Sequence, residues 1–281
     1  MNRFDMHIHS YYSDGEYDIE KIIDLLKEHH IEYFSISDHD NIDSVFHIKD
    51  YDLKGLTYIK GVEISSLLDN KYRLHILGYD FDEHHQEFND LLNHLKVRRK
   101  KRFIELNELL KTQYNIYLPD DEINSILEHV SIPGKPHLGA LLIKYNYVKT
   151  IKEAFDSYLK YLHPKYSNNA DATYVIDIIH KANGKAILAH PKKYENQYHI
   201  DFHIIMDRLR ELGIDGIEIY NSLHNYDDCI RYHNYALEYN LITTGGSDYH
   251  GISVKPYVKI GMLYKDKDEY SGTINYIKEL E

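Results

Sequence analysis

His7 and His9 stand two residues apart in RFDMHIH, a segment that reads as a strand. Side chains alternate along a strand, so both imidazoles face one side and can share one metal ion. Similar donors recur along the chain. Asp14 follows in SYYSDGEYD, where the Asp-Gly pair also reads as a turn. IEYFSIS runs into Asp38-His39-Asp40, and LTYIKGVE ends on Glu63. YRLHILGY carries His75, KAILA leads into His190-Pro191, and LITT leads into GGSDYH with Asp248 and His250. In α/β folds, functional groups gather at the C-terminal ends of parallel strands. Nitrogen and carboxylate donors without sulfur suit zinc, manganese or iron. One ion uses three or four protein ligands, so this set calls for two or three divalent ions. His29, His30, His84, His85, His94 and His129 fall on helical patterns and read as surface residues.

The elements that must position these donors alternate. Asp18 is a plausible N-cap for a helix over 18–30, whose apolar face is Ile19, Ile22, Ile23, Leu25 and Leu26. Strands are expected at 3–9, 31–37, 56–65 and 72–79, the last two as a hairpin across an Asp-Asn turn. Four helical patterns follow, near 83–113, 120–129, 137–145 and 150–161, punctuated by Pro119, Pro133, Gly134 and Pro136. The alternation then resumes: helices at 172–182, 200–212 and 225–239, each followed by a strand at 185–189, 215–220 and 241–244. A strand at 257–263 and a helix at 268–280 close the chain. This order predicts an α/β fold, either a barrel or a mainly parallel sheet, with residues 83–164 as a helical insertion.

The formal net charge of −12 argues against duplex DNA binding, which needs a basic footprint. A site filled with cations is still locally positive on an acidic protein. Arg98–Arg102 reads as a solvated helix face. The one cysteine, Cys229, lies in a helical pattern and reads as a core residue; no internal disulfide is possible. No apolar run is long enough to span a bilayer, and MNRFDMHIHS has no secretory pattern, so a cytoplasmic location is expected.

The motifs MHIHSYYSDG, SISDHD, GVEIS, LHILGY, AILAHP, DGIEIYN and GGSDYHG together resemble the polymerase-and-histidinol-phosphatase (PHP) family, in its order and over nearly the whole chain. GKPHLGALLIKYNYV and EAFDSYL resemble a stand-alone phosphoesterase subgroup, with Lys135 where that subgroup more often has arginine. The resemblance implies a distorted (β/α)7 barrel formed by residues 1–82 and 165–281, with 83–164 covering its mouth. It implies one metal site of His7, His9, Glu63 and Asp248, a second of Glu63, His75 and His190, and a third of Asp14, His39 and His250. Glu63, His190 and Asp248 are the expected catalytic residues. Lys135 and His137 are candidates for gripping phosphate, although a histidine packed at a helix start fits His137 equally. His224 is a candidate substrate contact by its place after a strand, and Asp38 and Asp40 are expected to orient ligands. The expected substrate is a small phosphorylated metabolite, a nucleoside bisphosphate or a short 5′-phosphorylated oligonucleotide. Histidinol phosphate and a non-catalytic metal-binding module are the alternatives. Neither a membrane nor duplex DNA is an expected partner.

Overall fold

The computed structural model describes residues 2–165, 169–265, 271–272 and 274–276. It opens with β1 (Asn2–Ile8), α1 (Ile19–Glu28), β2 (Tyr33–Ile36), the short α2 (Asp43–His47), β3 (Thr57–Tyr58), β4 (Gly61–Leu68) and β5 (Tyr72–Tyr79). Four helices follow: α3 (Gln86–Tyr114), α4 (Asp120–His129), α5 (Lys135–Lys144) and α6 (Ile151–Ser157). The remainder is β6 (Ala170–Asp171), α7 (Ala172–Lys181), β7 (Lys185–Leu188), α8 (Pro191–Tyr198), α9 (Phe202–Glu211), β8 (Gly216–Asn221), α10 (Tyr226–Glu238), β9 (Ile242–Gly246) and β10 (Ser271–Gly272).

The strands form two sheets, ordered β10-β1-β2-β3 and β6-β4-β5-β7-β8-β9. β5 runs antiparallel to both β4 and β7, whereas β7, β8 and β9 are mutually parallel. Two isolated parallel bridges join the sheets, Ile8 to Tyr249 and His39 to Glu63. The expected hairpin is present, with Gly61 opposite Tyr79 and Leu68 opposite Tyr72.

Local chemistry accounts for these elements. The Asp18 carboxylate accepts from the Lys21 amide at 2.9 Å, and α1 buries Ile19, Ile22, Ile23 and Leu26. Asp171 caps α7 in the same way. The main core lies between the sheets and α7, α9 and α10 and includes Ile64, Ile76, Ile187 and Ile217. A second cluster, with Phe103, Leu106, Leu138, Leu142 and Leu159, is made wholly of residues from the helical stretch.

Three expectations need correction. The strand expected over 56–65 is broken after Tyr58, and its second part runs on to Leu68, so Glu63 sits inside β4 rather than at a strand end. The break brings Gly61 against β2, where an added Cβ would lie 2.0 Å from Ser35 Oγ. Residues 257–263 form turns rather than a strand. Of the helix expected over 268–280, residues 268–270, 273 and 277–280 lie outside the described residues, and Ser271–Gly272 pairs with β1 as β10. α8 was not expected; Pro191 occupies its first turn, where a missing N–H costs nothing.

Candidate metal centre

Glu63 is the centre of the site. It is fully buried, and its two oxygens face different histidines. Oε1 lies 2.7 Å from His75 Nδ1, 2.8 Å from His190 Nε2 and 3.4 Å from His7 Nε2. Oε2 lies 2.8 Å from His39 Nδ1 and 3.3 Å from His9 Nε2. Asp248 Oδ1 is 3.3 Å from His9 Nε2 and 3.7 Å from His7 Nε2. Asp14 Oδ1 is 3.3 Å from His250 Nε2 and 3.7 Å from His9 Nδ1, and its Oδ2 is 3.9 Å from His39 Nε2.

Among the described residues, three groups of donor atoms are compact enough to hold an ion: His7, His9, Glu63 and Asp248; His9, Asp14, His39 and His250; and His39, Glu63 and His75. The first is the set expected from the sequence, and the second adds His9 to the expected third set. The last brings His39 beside Glu63 and His75. His190 touches Glu63 but belongs to no compact group among the described residues.

His7 Nε2, both ring nitrogens of His9, Asp14 Oδ1, His39 Nδ1, Glu63 Oε2 and His190 Nδ1 are buried and make no hydrogen bond. Leaving so many buried donors and acceptors unmatched is costly, and a shared cation satisfies them together. The residues present therefore fit more than one metal ion.

The protonation pattern agrees. Glu63 is held well below the usual carboxylate range: burial opposes ionisation, but His75, His39 and His7 outweigh it. Asp14 is lowered in the same way by His39 and His250, and Asp248 by Lys255 and His250. Burial brings His39 down to about 4 and lowers His75, His190 and His250. A neutral imidazole keeps a lone pair for a cation. His9 is pushed up to about 9; burial lowers it, but Asp248, Glu63 and Asp14 prevail.

Buried carboxylates hold the loops that carry these groups. Asp38 accepts from the Ser10 amide at 2.8 Å, Ser10 Oγ at 2.7 Å and Ser13 Oγ at 2.6 Å, which fixes the loop before Asp14. Asp40 accepts from the Ser65 amide at 2.7 Å and Arg99 Nε at 2.5 Å. Asp5 accepts from the Ser247 amide at 2.9 Å, Ser247 Oγ at 2.6 Å and the Gly261 amide at 2.7 Å, and so places Asp248. Glu218 Oε1 lies 3.0 Å from His7 Nδ1, and Oε2 accepts from the His190 amide at 2.6 Å. With Nδ1–H donated to Glu218, His7 turns Nε2 to the cluster. His190 and Asp248 have positive φ, 28° and 56°, a backbone region that side chains with a Cβ seldom adopt.

Nothing in the sequence marks Glu218 or Asp5 beyond their places in DGIEIYN and RFDMHIH. Arg99 also departs from expectation. It is buried against Asp40 and Ser65 rather than solvated. Arg102 lines a cleft beside the cluster with Arg73, Arg99, Lys135 and Lys193. The Lys135 ammonium donates to the Leu159 carbonyl, and burial with Arg102 and Arg73 nearby brings it down to about 8. His137 Nδ1 accepts from the Gly134 amide at 3.1 Å at the start of α5, and burial lowers its pKa although Asp14 opposes this. The expectation for His224 is corrected. Its ring is fully buried against Tyr232, its Nδ1 faces the Ile219 carbonyl at 3.0 Å, and it is absent from the described lining of the clefts over the cluster. Cys229 is buried, as expected. No described helix is long and apolar enough to cross a membrane.

No family model matches the chain. Curated relatives, however, align over most of its length. A 5′-3′ exoribonuclease of Haemophilus influenzae is 28% identical over 258 residues, covering 88% of this chain and 90% of its own. A 3′,5′-nucleoside bisphosphate phosphatase of Chromobacterium violaceum is 24% identical, covering 89% and 88%. A solved structure from Bifidobacterium adolescentis, provisionally assigned as a metal-dependent phosphoesterase, superposes with a TM-score of 0.82 at 22% identity and covers 94% of this chain and 93% of its own. The chain is thus similar over most of its length to curated phosphoesterases, and its fold matches that of the Bifidobacterium structure. Another solved structure, described as an amidohydrolase from Chromobacterium violaceum with bound sulfate and no metal, gives a TM-score of 0.77 at 24% identity, covering 88% and 87%.

Proposed function

We propose that this chain is a phosphoesterase that hydrolyses phosphate esters of nucleotides or short oligonucleotides at two or three divalent ions, zinc, manganese or iron. The observation that carries the reading is the convergence of unmatched buried nitrogens and carboxylate oxygens at the floor of a cleft lined by cations. The curated relatives act on phosphoesters by name, which supports the same class. His7, His9, Asp14, His39, Glu63, His75, His190, Asp248 and His250 are the proposed ligands. Glu63, with an oxygen turned to each side, is the proposed shared carboxylate; His190 and Asp248 complete the catalytic set. Bound there, the ions would neutralise phosphoryl charge and make a water acidic enough to serve as nucleophile near neutral pH. No Ser or Cys nucleophile is required.

The bridges between the two sheets support a distorted barrel of seven strands, with β5 the antiparallel member. The self-contained apolar cluster supports residues 83–164 as a helical insertion over its mouth, with 1–82 and 165–281 forming the barrel. Lys135, His137, Arg73, Arg102 and Lys193 are the proposed contacts for the anionic part of the substrate.

The test is metal analysis followed by steady-state assay. Protein purified without chelator is expected to carry two or three transition-metal ions per chain. It is expected to hydrolyse adenosine 3′,5′-bisphosphate or a short 5′-phosphorylated RNA better than histidinol phosphate. Metal content near zero with no uptake of manganese or zinc, or turnover of none of these esters, overturns the reading.

A further inference from the structure

The cleft over the cluster has two arms. One is the cationic arm described above. The second, a cavity of about 450 Å³, shares Asp14, His39, His75, Pro136 and Lys193 with the first. Beyond the cluster its walls change character. Ile151 and Phe155 of α6 line it together with Val254, Pro256 and Tyr257 of a later loop. Ile151 and Phe155 are four residues apart and so stand on one face of their helix. Phe155 packs partly against the second apolar cluster, which fixes it from behind.

The loop that carries Val254, Pro256 and Tyr257 is tethered to the site. Glu16 accepts from the Ser253 amide at 2.8 Å and from Ser253 Oγ at 2.9 Å. The Lys255 amide donates to the Gly251 carbonyl at 2.9 Å, and its ammonium lies 2.6 Å from Asp248 Oδ2. Tyr257 is therefore carried on a segment anchored at a proposed metal ligand, yet it is 82% exposed. An exposed aromatic ring at the rim of the cavity leaves its face open to stack on a ligand.

We propose that this second arm is a ring-binding subsite, in which the heteroaromatic base of a nucleotide lies between Phe155 and Tyr257 while one of its phosphates sits at the cluster. The inference rests on the phosphoesterase reading and names the part of the substrate that the cationic arm does not hold. Continuity with the cluster decides the occupant: whatever enters the apolar arm must also carry an anion to the cluster. The volume suits a small ligand rather than a protein side. Stacking on aromatic faces serves every base, so this arm selects for a ring and discriminates little among bases.

The experiment uses the full chain loaded with manganese, as wild type, Phe155→Ala, Tyr257→Ala and Tyr257→Phe. Each is assayed on adenosine 3′,5′-bisphosphate and on the abasic sugar bisphosphate. For the adenosine substrate, KM is expected to rise about tenfold in each alanine variant with little change in kcat. The abasic substrate is expected to behave as in wild type, and Tyr257→Phe to keep wild-type KM on both. An equal loss on both substrates, or no loss on either, overturns the subsite. If wild type hydrolyses neither, the phosphoesterase reading fails by itself, and calorimetric titration with adenosine 3′,5′-bisphosphate decides the subsite. Weaker binding in Tyr257→Ala upholds it; equal binding, or none to wild type, overturns it.

Discussion

Glu218 holds the ring of His7 and the backbone of His190 with one carboxylate, and both residues face Glu63. Glu218→Gln keeps the shape but loses the charge that fixes the His7 tautomer. Its manganese affinity is expected to fall about ten- to a hundredfold, as outer partners of metal ligands commonly cost. Equilibrium dialysis checks this, and unchanged affinity would show that Glu218 only fills space. Glu63→Gln is expected to lose more turnover than Asp14→Asn, because a shared carboxylate offsets repulsion between adjacent cations; comparable turnover to wild type at saturating metal refutes the shared role. Lys135 gives a pH dependence. With its pKa brought down to about 8 it is charged below that pH and neutral above it. A substrate anion favours the charged form, so KM is expected to climb as pH rises through 8, and Lys135→Ala should lack that limb. At this scale the histidines and Asp248 were legible from the strands around them: His9, His39, His190, Asp248 and His250 come just after strands, and His7 and His75 lie within β1 and β5. Glu218 was not, since a glutamate within an apolar strand carries no signal of what faces it. Nor was Arg99, whose partner Asp40 lies far away in sequence and is brought near only by packing.

The elements set how closely these groups approach. β9 passes so near β1 that a Cβ on Gly246 would lie 2.4 Å from the His7 amide nitrogen and 2.5 Å from His7 Cβ. Neither backbone nor Cβ yields without moving His7. Gly246→Ala is expected to destabilise the chain by about 1–3 kcal/mol, in the range of overpacking, and to weaken metal binding as well. Thermal melts with and without manganese separate the two effects; a wild-type melt and wild-type affinity would mean that β9 has slack. The helices from α3 to α6 and the β4–β5 hairpin were readable from periodicity and an Asp-Asn turn. The break between β3 and β4 was not, because LTYIKGVEIS is apolar enough to pass for one continuous strand and the close approach of Gly61 to Ser35 is a tertiary fact. α8 was missed because PKKYENQY has almost no apolar stripe; its start is set by Pro191, and Tyr194 is its buried anchor.

Across the whole molecule, a net charge of −12 coexists with a cleft lined by Arg73, Arg99, Arg102, Lys135 and Lys193. The net negative charge would repel an anionic substrate at long range, whereas the cationic cleft, with any ions the cluster holds, would attract it at short range. Salt screens the first more than the second. Metal loading also bears on stability. An ion that binds only the folded chain at a hundred times its Kd adds about 2.7 kcal/mol. For a chain of this size the melting temperature is then expected to rise by roughly 5 °C on adding manganese to chelator-treated protein. A melt indifferent to metal would leave the unmatched buried groups to some other partner.

The bridges that join the two sheets have a consequence for how the chain comes apart. Ile8 with Tyr249, and His39 with Glu63, are the places where one sheet hands over to the other. Across the first, the His9 amide donates to the Tyr249 carbonyl at 2.9 Å and the Asp248 amide to the His7 carbonyl at 2.8 Å; across the second, the Asp40 amide donates to the Glu63 carbonyl at 2.9 Å. Each seam is only a few hydrogen bonds wide, and each is flanked by residues whose side chains meet at one point. An ion bound at that point would tie both seams at once, and neither would open while it stayed. Amide exchange at His9, Asp40 and Asp248 should therefore slow together when metal binds, and their shared protection should vanish together when it is stripped, so that one inorganic centre sets the lifetime of two distant joints in the backbone.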